Sequence, residues 1–274
     1  MSWRKKKKEI GKIKHKARLI VCLMFAVVIG LIILLTLRII KNNTGYYKVD
    51  SRVEELKNEK PIEGSNFKTV GWLKIQGTDI DLPIVYSKDP YEEFPVQLES
   101  FGWSKNELTK DGNYYDITGH NIFNLSATPK IKSNMFNRFE QLMAFVYYDF
   151  AKDNQYIQLT IDDKDYVYKI FSVGFIDKSL ASFFPTTSNV NKDQIKNLIK
   201  VYNKKSLYKY DVDVNENDKI IALSTCTRIY GANNSTEFYV FGRLLRDKEK
   251  YNHYKVTKNN DYKKIEKILK GDEK

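Results

Sequence analysis

Cysteine and histidine bring nucleophilic and proton-shuttling chemistry near neutral pH, and this 274-residue chain holds only 2 Cys and 3 His. Cys226 closes the apolar run KIIALSTC (219–226), and His120 follows Gly119 in TGHN (118–121). A thiol becomes a useful nucleophile when a neighbouring group favours the thiolate or carries its proton, and imidazole is the usual partner. Gly119 lets the backbone turn so that an imidazole projects from a strand end. A plain structural role also fits each residue: a buried cysteine packing as a small hydrophobe, and a histidine satisfied at a strand end. The other candidates are fewer still. Cys22 lies in an uninterrupted apolar run, and His253 sits in the polar stretch NHYK.

These two residues need elements that bring them together. FKTVGWLKI (67–75) and DIDLPIVY (79–86), split at Gly77-Thr78, read as strand, turn, strand. NYYDITG (113–119), 156–161, 166–176, KIIALSTC (219–226) and EFYVFGRLL (237–245) are further strands. SNMFNRFEQLMAF (133–145) and VNKDQIKNLIKVYNKK (190–205) have helical spacing; the second puts Ile195, Leu198, Ile199 and Tyr202 on one face. Many short strands with few helices predict a mainly β (α+β) fold, a closed or nearly closed barrel with appended helices. Residues 246–274 form a charged, non-catalytic tail, either a peripheral helix or a loose end. Residues 39–66 are a stalk and an N-terminal helix, with Asp50 or Ser51 as N-cap and Pro61 as stop.

Charge separates the N-terminus from the rest. The net charge is +12, but residues 1–18 hold nine basic side chains and one acid. Residues 19–37 carry no charge, and at ~1.5 Å per residue they span about 28 Å as a helix, close to a bilayer core. The run is longer than a signal-peptide core, and no small-residue cleavage site follows it, which favours an uncleaved anchor over a cleaved signal. The reading is therefore a basic cytoplasmic segment (1–18), a transmembrane anchor (19–38), the stalk (39–66), a catalytic domain (67–245) and the tail (246–274). Basic flanks stay on the cytoplasmic side, so the body is expected outside a cell membrane crossed once. Residues 39–274 carry only +3, which removes most support for a nucleic-acid role. No Walker loop, glycine-rich dinucleotide motif or metal-spaced His/Cys cluster appears, so no metal or cofactor is expected.

Four stretches, in order, resemble a known family. Leu223-Ser224-Thr225-Cys226-Thr227 is similar to the sortase cysteine signature, and Thr118-Gly119-His120-Asn121 to its histidine motif. Val70-Gly71-Trp72-Leu73-Lys74-Ile75 with Thr78 to Val85, and Ser206 to Ala222, resemble class B sortases. The resemblance implies a sortase-like eight-stranded β-barrel and a cysteine transpeptidase of the Gram-positive cell surface. Cys226 would attack the threonine carbonyl of a C-terminal sorting signal on a secreted protein, forming a thioester. His120 would protonate the leaving amine, then take a proton from the incoming one, supplied by a peptidoglycan precursor or a pilin. Asn121, Thr225 and Ser224 would line the substrate site. Class B members typically prefer Asn-Pro-x-Thr-type signals.

One departure stands out. Class B sortases open the strand after the cysteine with an arginine, and the matching position here holds Glu237. Arg243 matches a second, non-catalytic arginine, six residues on. Arg228, two residues after Cys226, is the expected surrogate for stabilising the oxyanion. The competing reading is a catalytically weakened or inactive sortase-fold binding module. A cysteine hydrolase differs only in whether water or an amine resolves the thioester.

Overall fold

The computed structural model describes residues 18, 20–36, 66–89, 101–119, 138–177, 185, 187–227, 229–230 and 236–270. The chain divides into two units, Met1–Tyr46 and Tyr47–Lys274. In the first, residues 20–36 are helical, with large apolar side chains from Ile20 to Leu35 exposed around the helix. Among the described residues, no helix is long and apolar enough to cross a membrane. The helix capped by Asp50 or Ser51 and residues 133–137 lie outside the described residues.

In the second unit the strands are β1 (Lys68–Ile75), β2 (Asp81–Tyr86), β3 (Gly102–Ser104), β4 (Tyr114–Gly119), β5 (Tyr156–Ile161), β6 (Lys164–Asp177), β7 (Tyr208–Tyr210), β8 (Ile220–Cys226), β9 (Thr236–Leu244) and β10 (Val256–Lys258). Eight of them close a barrel in the order β1-β2-β3-β4-β8-β9-β6-β5, as the strand pattern anticipated, and β7 pairs with β10 beside it. The β1–β2 hairpin turns at Gly77, whose φ of 79° suits glycine. The three-residue strand β3, parallel to β2, was not visible in the sequence. Three residues are too short to show a period.

Helices cover the barrel. The segment 133–145 was read as helical, and its described part is a 3₁₀ helix, Arg138–Val146, followed by α1 (Tyr148–Asp153). Helix α2 (Lys192–Lys205) starts with a reciprocal capping box between Asn191 and Gln194 and ends on Lys204 and Lys205, matching the helix dipole. Its buried face is Ile195, Leu198, Ile199 and Tyr202, as the periodicity predicted. That face packs on Ile220 and Ala222 of β8 and Tyr239 and Phe241 of β9, while Ile221, Leu223, Phe238 and Val240 of the same strands fill the barrel interior. Strands β8 and β9 are thus covered on both faces, and KIIALSTC reads as continuously apolar for that reason. Past residue 245 the chain forms β10 and helix α3 (Tyr262–Lys270), with Tyr262 and Ile265 buried in the main cluster. Of the sequence's two alternatives for this stretch, the structure adopts the helix.

The contact that matters most for the site is local to Gly119. A Cβ built there would lie 2.1 Å from Cγ of Phe139, which is fully buried in the main cluster. Glycine is needed because the 3₁₀ helix presses on the end of β4, not because of an unusual φ. Gly119→Ala should therefore lower the unfolding free energy by about 1–3 kcal/mol, the usual cost of overpacking. Denaturant unfolding tests this, and a change below about 0.5 kcal/mol would mean that Phe139 moves aside freely.

Candidate active site

Strands β4 and β8 run parallel, in a register pairing Tyr114 with Ile220, Thr118 with Ser224 and Gly119 with Thr225. Both strands therefore end at the same rim. Two side-chain bonds fasten them there: the Thr118 hydroxyl donates to the Ser224 carbonyl at 3.0 Å, and the Thr225 hydroxyl to the Gly119 carbonyl at 3.4 Å. Strand β4 ends at Gly119, and Cys226, one residue past Thr225, ends β8. Cys226 carries a thiol, not a disulfide, and is partly exposed. His120, Asn121 and Arg228 lie outside the described residues. What the structure supplies is the end of β4 at Gly119, paired with Thr225, the residue before the nucleophile candidate.

Strand alternation then sorts the neighbours. Leu223 and Thr225 point to the barrel side, Ser224 and Cys226 to the outer face. Ser224 and Thr225 are both fully buried, on opposite faces of β8. On the other flank, antiparallel β9 sets Glu237 opposite Cys226. The adjacent pair is closed by a bond from the Thr227 N–H to the Thr236 carbonyl at 3.2 Å. Cys226 and Glu237 therefore form the widely spaced, non-hydrogen-bonded kind of pair, in which Cα atoms stand ~4.5 Å apart and side chains are close neighbours. Beyond Glu237 in the sheet lies Ile176 of β6, which is buried.

Arg243 is at the other end of the barrel, as its six-residue offset from Glu237 required. It pairs with Ile220, at the start of β8, about 20 Å from Glu237 at ~3.3 Å per residue. Its guanidinium grips Glu249, with Nη2 to Oε1 at 2.8 Å, and its Nε donates to the Asp213 carbonyl at 2.9 Å. Hydrogen bonding to Arg243, seconded by Lys169, holds the Glu249 carboxyl well below the usual carboxylate range. Arg246 adds pairs to Asp218 and Asp213, at 2.8 and 2.6 Å. These charges brace the strand ends opposite the cysteine.

Asp116 is a residue that the sequence reading passed over. It sits in YYDITG, on the outer face of β4 with Thr118, and is 1% exposed. Neither carboxylate oxygen has a hydrogen-bond partner, although Lys105 Nζ stands 3.4 Å from Oδ2. Burial pushes its pKa up to about 6; Lys105 opposes the rise, and Glu237 adds to it. The signal that could have revealed it was an acid in the middle of an otherwise apolar strand.

The Sortase domain family model matches residues 73–245. Among curated proteins, the chain is 23% identical over 181 residues to sortase B of Staphylococcus aureus (strain NCTC 8325 / PS 47), covering 62% of this chain and 67% of that protein. Among solved structures, Clostridium perfringens sortase B is 26% identical, with a TM-score of 0.54, covering 71% of this chain and all of that one. A Staphylococcus aureus sortase B–substrate complex shares the fold, with a TM-score of 0.54 at 17% identity, over 77% of this chain and 91% of that one.

The buried acid gives a signed prediction. A carboxyl whose folded pKa is raised binds its proton more tightly folded than unfolded, so it costs stability as pH climbs from about 3.8 to about 6, and the cost is complete above that. Asp116→Asn should raise the unfolding free energy at pH 7.5 by about 1–3 kcal/mol and leave it nearly unchanged near pH 4. Chemical denaturation at the two pH values measures this; destabilisation at pH 7.5 would mean that the Lys105 pair outweighs the cost of burial.

Proposed function

The chain belongs to the sortase family, and from that premise we propose that it is a membrane-anchored class B-type transpeptidase using Cys226 and His120. The observation that carries this reading is the parallel β4–β8 register, in which Gly119, the residue before His120 in the sequence, pairs with Thr225, the residue before Cys226. Cys226 attacks the threonine carbonyl of a sorting signal; the peptide C–N bond breaks and a thioester forms. His120 gives a proton to the departing amine, then accepts one from the amine that displaces the thioester. The substrate is a secreted protein with a C-terminal sorting signal, and the acceptor is an amine of a peptidoglycan precursor or pilin. The product is a protein anchored at the Gram-positive cell wall.

Arg228 supplies the positive charge near the oxyanion. The family position for that charge holds Glu237, and Arg243 is occupied at the far end of the barrel. Arg228 is two residues from the nucleophile in the loop joining β8 to β9. Asn121 follows the proposed proton carrier in the sequence and, with Thr225 and Ser224, is proposed for the substrate site.

The experiment is acylation of the purified full chain by a panel of sorting peptides, Asn-Pro-x-Thr types included, read by intact mass and release of the C-terminal fragment. Wild type should acquire the peptide as a thioester, and Cys226→Ala should acquire none. Arg228→Ala should lose about 10²–10³ in kcat/KM; a loss within about twofold removes its role. A wild-type thiol that no peptide acylates would favour the inactive binding-module reading, which the acid at 237 motivates.

The anchor rests on the uncharged run 19–37 and on the exposed apolar helix 20–36. A helix that is apolar all round has no stable place in water. The basic segment before it places the N-terminus in the cytoplasm and the barrel outside. In membranes from expressing cells, alkaline carbonate should leave the full chain in the pellet and a chain beginning at residue 39 in the supernatant. Release of the full chain would overturn the anchor.

A further inference from the structure

Helix α2 has two unlike faces. Ile195, Leu198, Ile199 and Tyr202 pack on the barrel, and the opposite side is exposed. On that exposed side Lys192, Lys196, Lys200 and Lys204 recur every four residues. The spacing keeps all four in one row along the helix, about 18 Å long at ~1.5 Å per residue, with a positive charge roughly every 6 Å. Among the described residues, no carboxylate forms an ion pair with any of the four.

The row works against the helix that carries it. Its three successive i,i+4 pairs are like-charged and repel. Lys192 sits in the first turn, where the helix dipole disfavours a cation, and only Lys204, in the last turn, suits it. The one acid of the exposed face, Asp193, is confined to the first turn. A face kept merely soluble mixes signs along such a row. The charge is also localised. Residues 67–245 hold 21 basic and 22 acidic side chains, and residues 192–205 alone hold five lysines and one acid. Without this helix the barrel domain is left with 16 basic and 21 acidic side chains. An anionic plane therefore attracts the helix and repels the remainder, which turns charge into orientation.

We infer that the exposed lysine row of α2 is a docking surface for anionic phospholipid headgroups, which holds the barrel with α2 facing the lipid. The inference rests on the anchor proposed above and is independent of the chemistry at Cys226. That anchor leaves the barrel on a tether, residues 39–66, of at most about 100 Å, so headgroups are within reach. The row offers ammonium charges on flexible stems and no arginine fork, which suits a field spread over many headgroups better than one bound phosphate. The apolar face of α2 is already packed on β8 and β9, so docking is electrostatic and does not insert the helix. It therefore weakens with salt.

The test uses the full chain reconstituted in vesicles of phosphatidylcholine, alone or mixed with phosphatidylglycerol. A membrane-impermeant acetylating reagent and peptide mass spectrometry give the rate at each lysine. In the mixed vesicles Lys192, Lys196, Lys200 and Lys204 should react at least about threefold more slowly, and salt near ~0.5 M should restore them. Lys88 and Lys164, exposed on the barrel, and Lys263 and Lys264, exposed on α3, should keep their rates. Each lysine at an anionic surface is worth roughly fivefold in binding, so Lys196→Gln with Lys200→Gln should return Lys192 and Lys204 to their phosphatidylcholine rates. Equal slowing of every exposed lysine is a general surface potential and overturns the inference, as does slowing confined to α3 or no slowing at all. A further arm adds inorganic polyphosphate to the phosphatidylcholine vesicles. Stronger protection of the row there than in mixed vesicles would assign it to a soluble polyanion and overturn the lipid assignment. Release of the full chain by alkaline carbonate is a separate failure: it removes the anchor, while the labelling still decides for or against the row.

Discussion

The constraint on which the rest depends is the parallel pairing of β4 with β8. The two strands are about a hundred residues apart in the chain, so their alignment comes from packing and not from a turn. It is held because both faces of β8 are buried: Ile221 and Leu223 in the barrel, Ile220 and Ala222 beneath α2. A slip of one residue would exchange these two sets and turn Cys226 into the barrel. The Thr118 and Thr225 hydroxyl bonds lock the last rungs, where the ladder is about to end. Chemistry at a strand end is only as well placed as that last rung.

The closed barrel keeps its two ends chemically separate. At the start of β8, Arg243, Arg246, Lys169, Glu249, Asp213 and Asp218 satisfy one another's charges. At the other end the strands deliver a thiol and an acid to adjacent positions. A pleated strand makes this division unavoidable. Six residues along β9 carry the chain from one rim toward the other, so the guanidinium of Arg243 serves the frame and cannot serve the nucleophile.

Much of this was legible in the residues. The strand boundaries followed from alternation and turn chemistry, the buried face of α2 from its spacing, and the remoteness of Arg243 from counting. What stayed hidden had one physical cause: sequence periodicity describes a single strand, whereas the missing facts concern which strands become neighbours. The pairing of β4 with β8 leaves no local mark. Strand β3 is too short to carry a period. Asp116 was passed over: alternation assigns it to the outer face, and only the covered outer layer, seen in Tyr114 and α2, turns that face into an interior. The full burial of Ser224 and Thr225 likewise showed only once both faces of β8 were seen to be covered.

An acyl transfer through a thioester makes opposite electrostatic demands in its two halves. Forming the thioester builds negative charge on sulfur and on the carbonyl oxygen, and a cation beside Cys226 lowers that barrier. Resolving it with an ammonium requires a proton acceptor at almost the same place. One side chain at position 237 cannot meet both demands, because its charge has one sign. An arginine there favours the first half and leaves deprotonation of the acceptor to the histidine alone. A glutamate opposes the first, so the proposed stabilisation of the oxyanion needs a cation from elsewhere, and Arg228, two residues after Cys226 in the sequence, is the residue proposed for it.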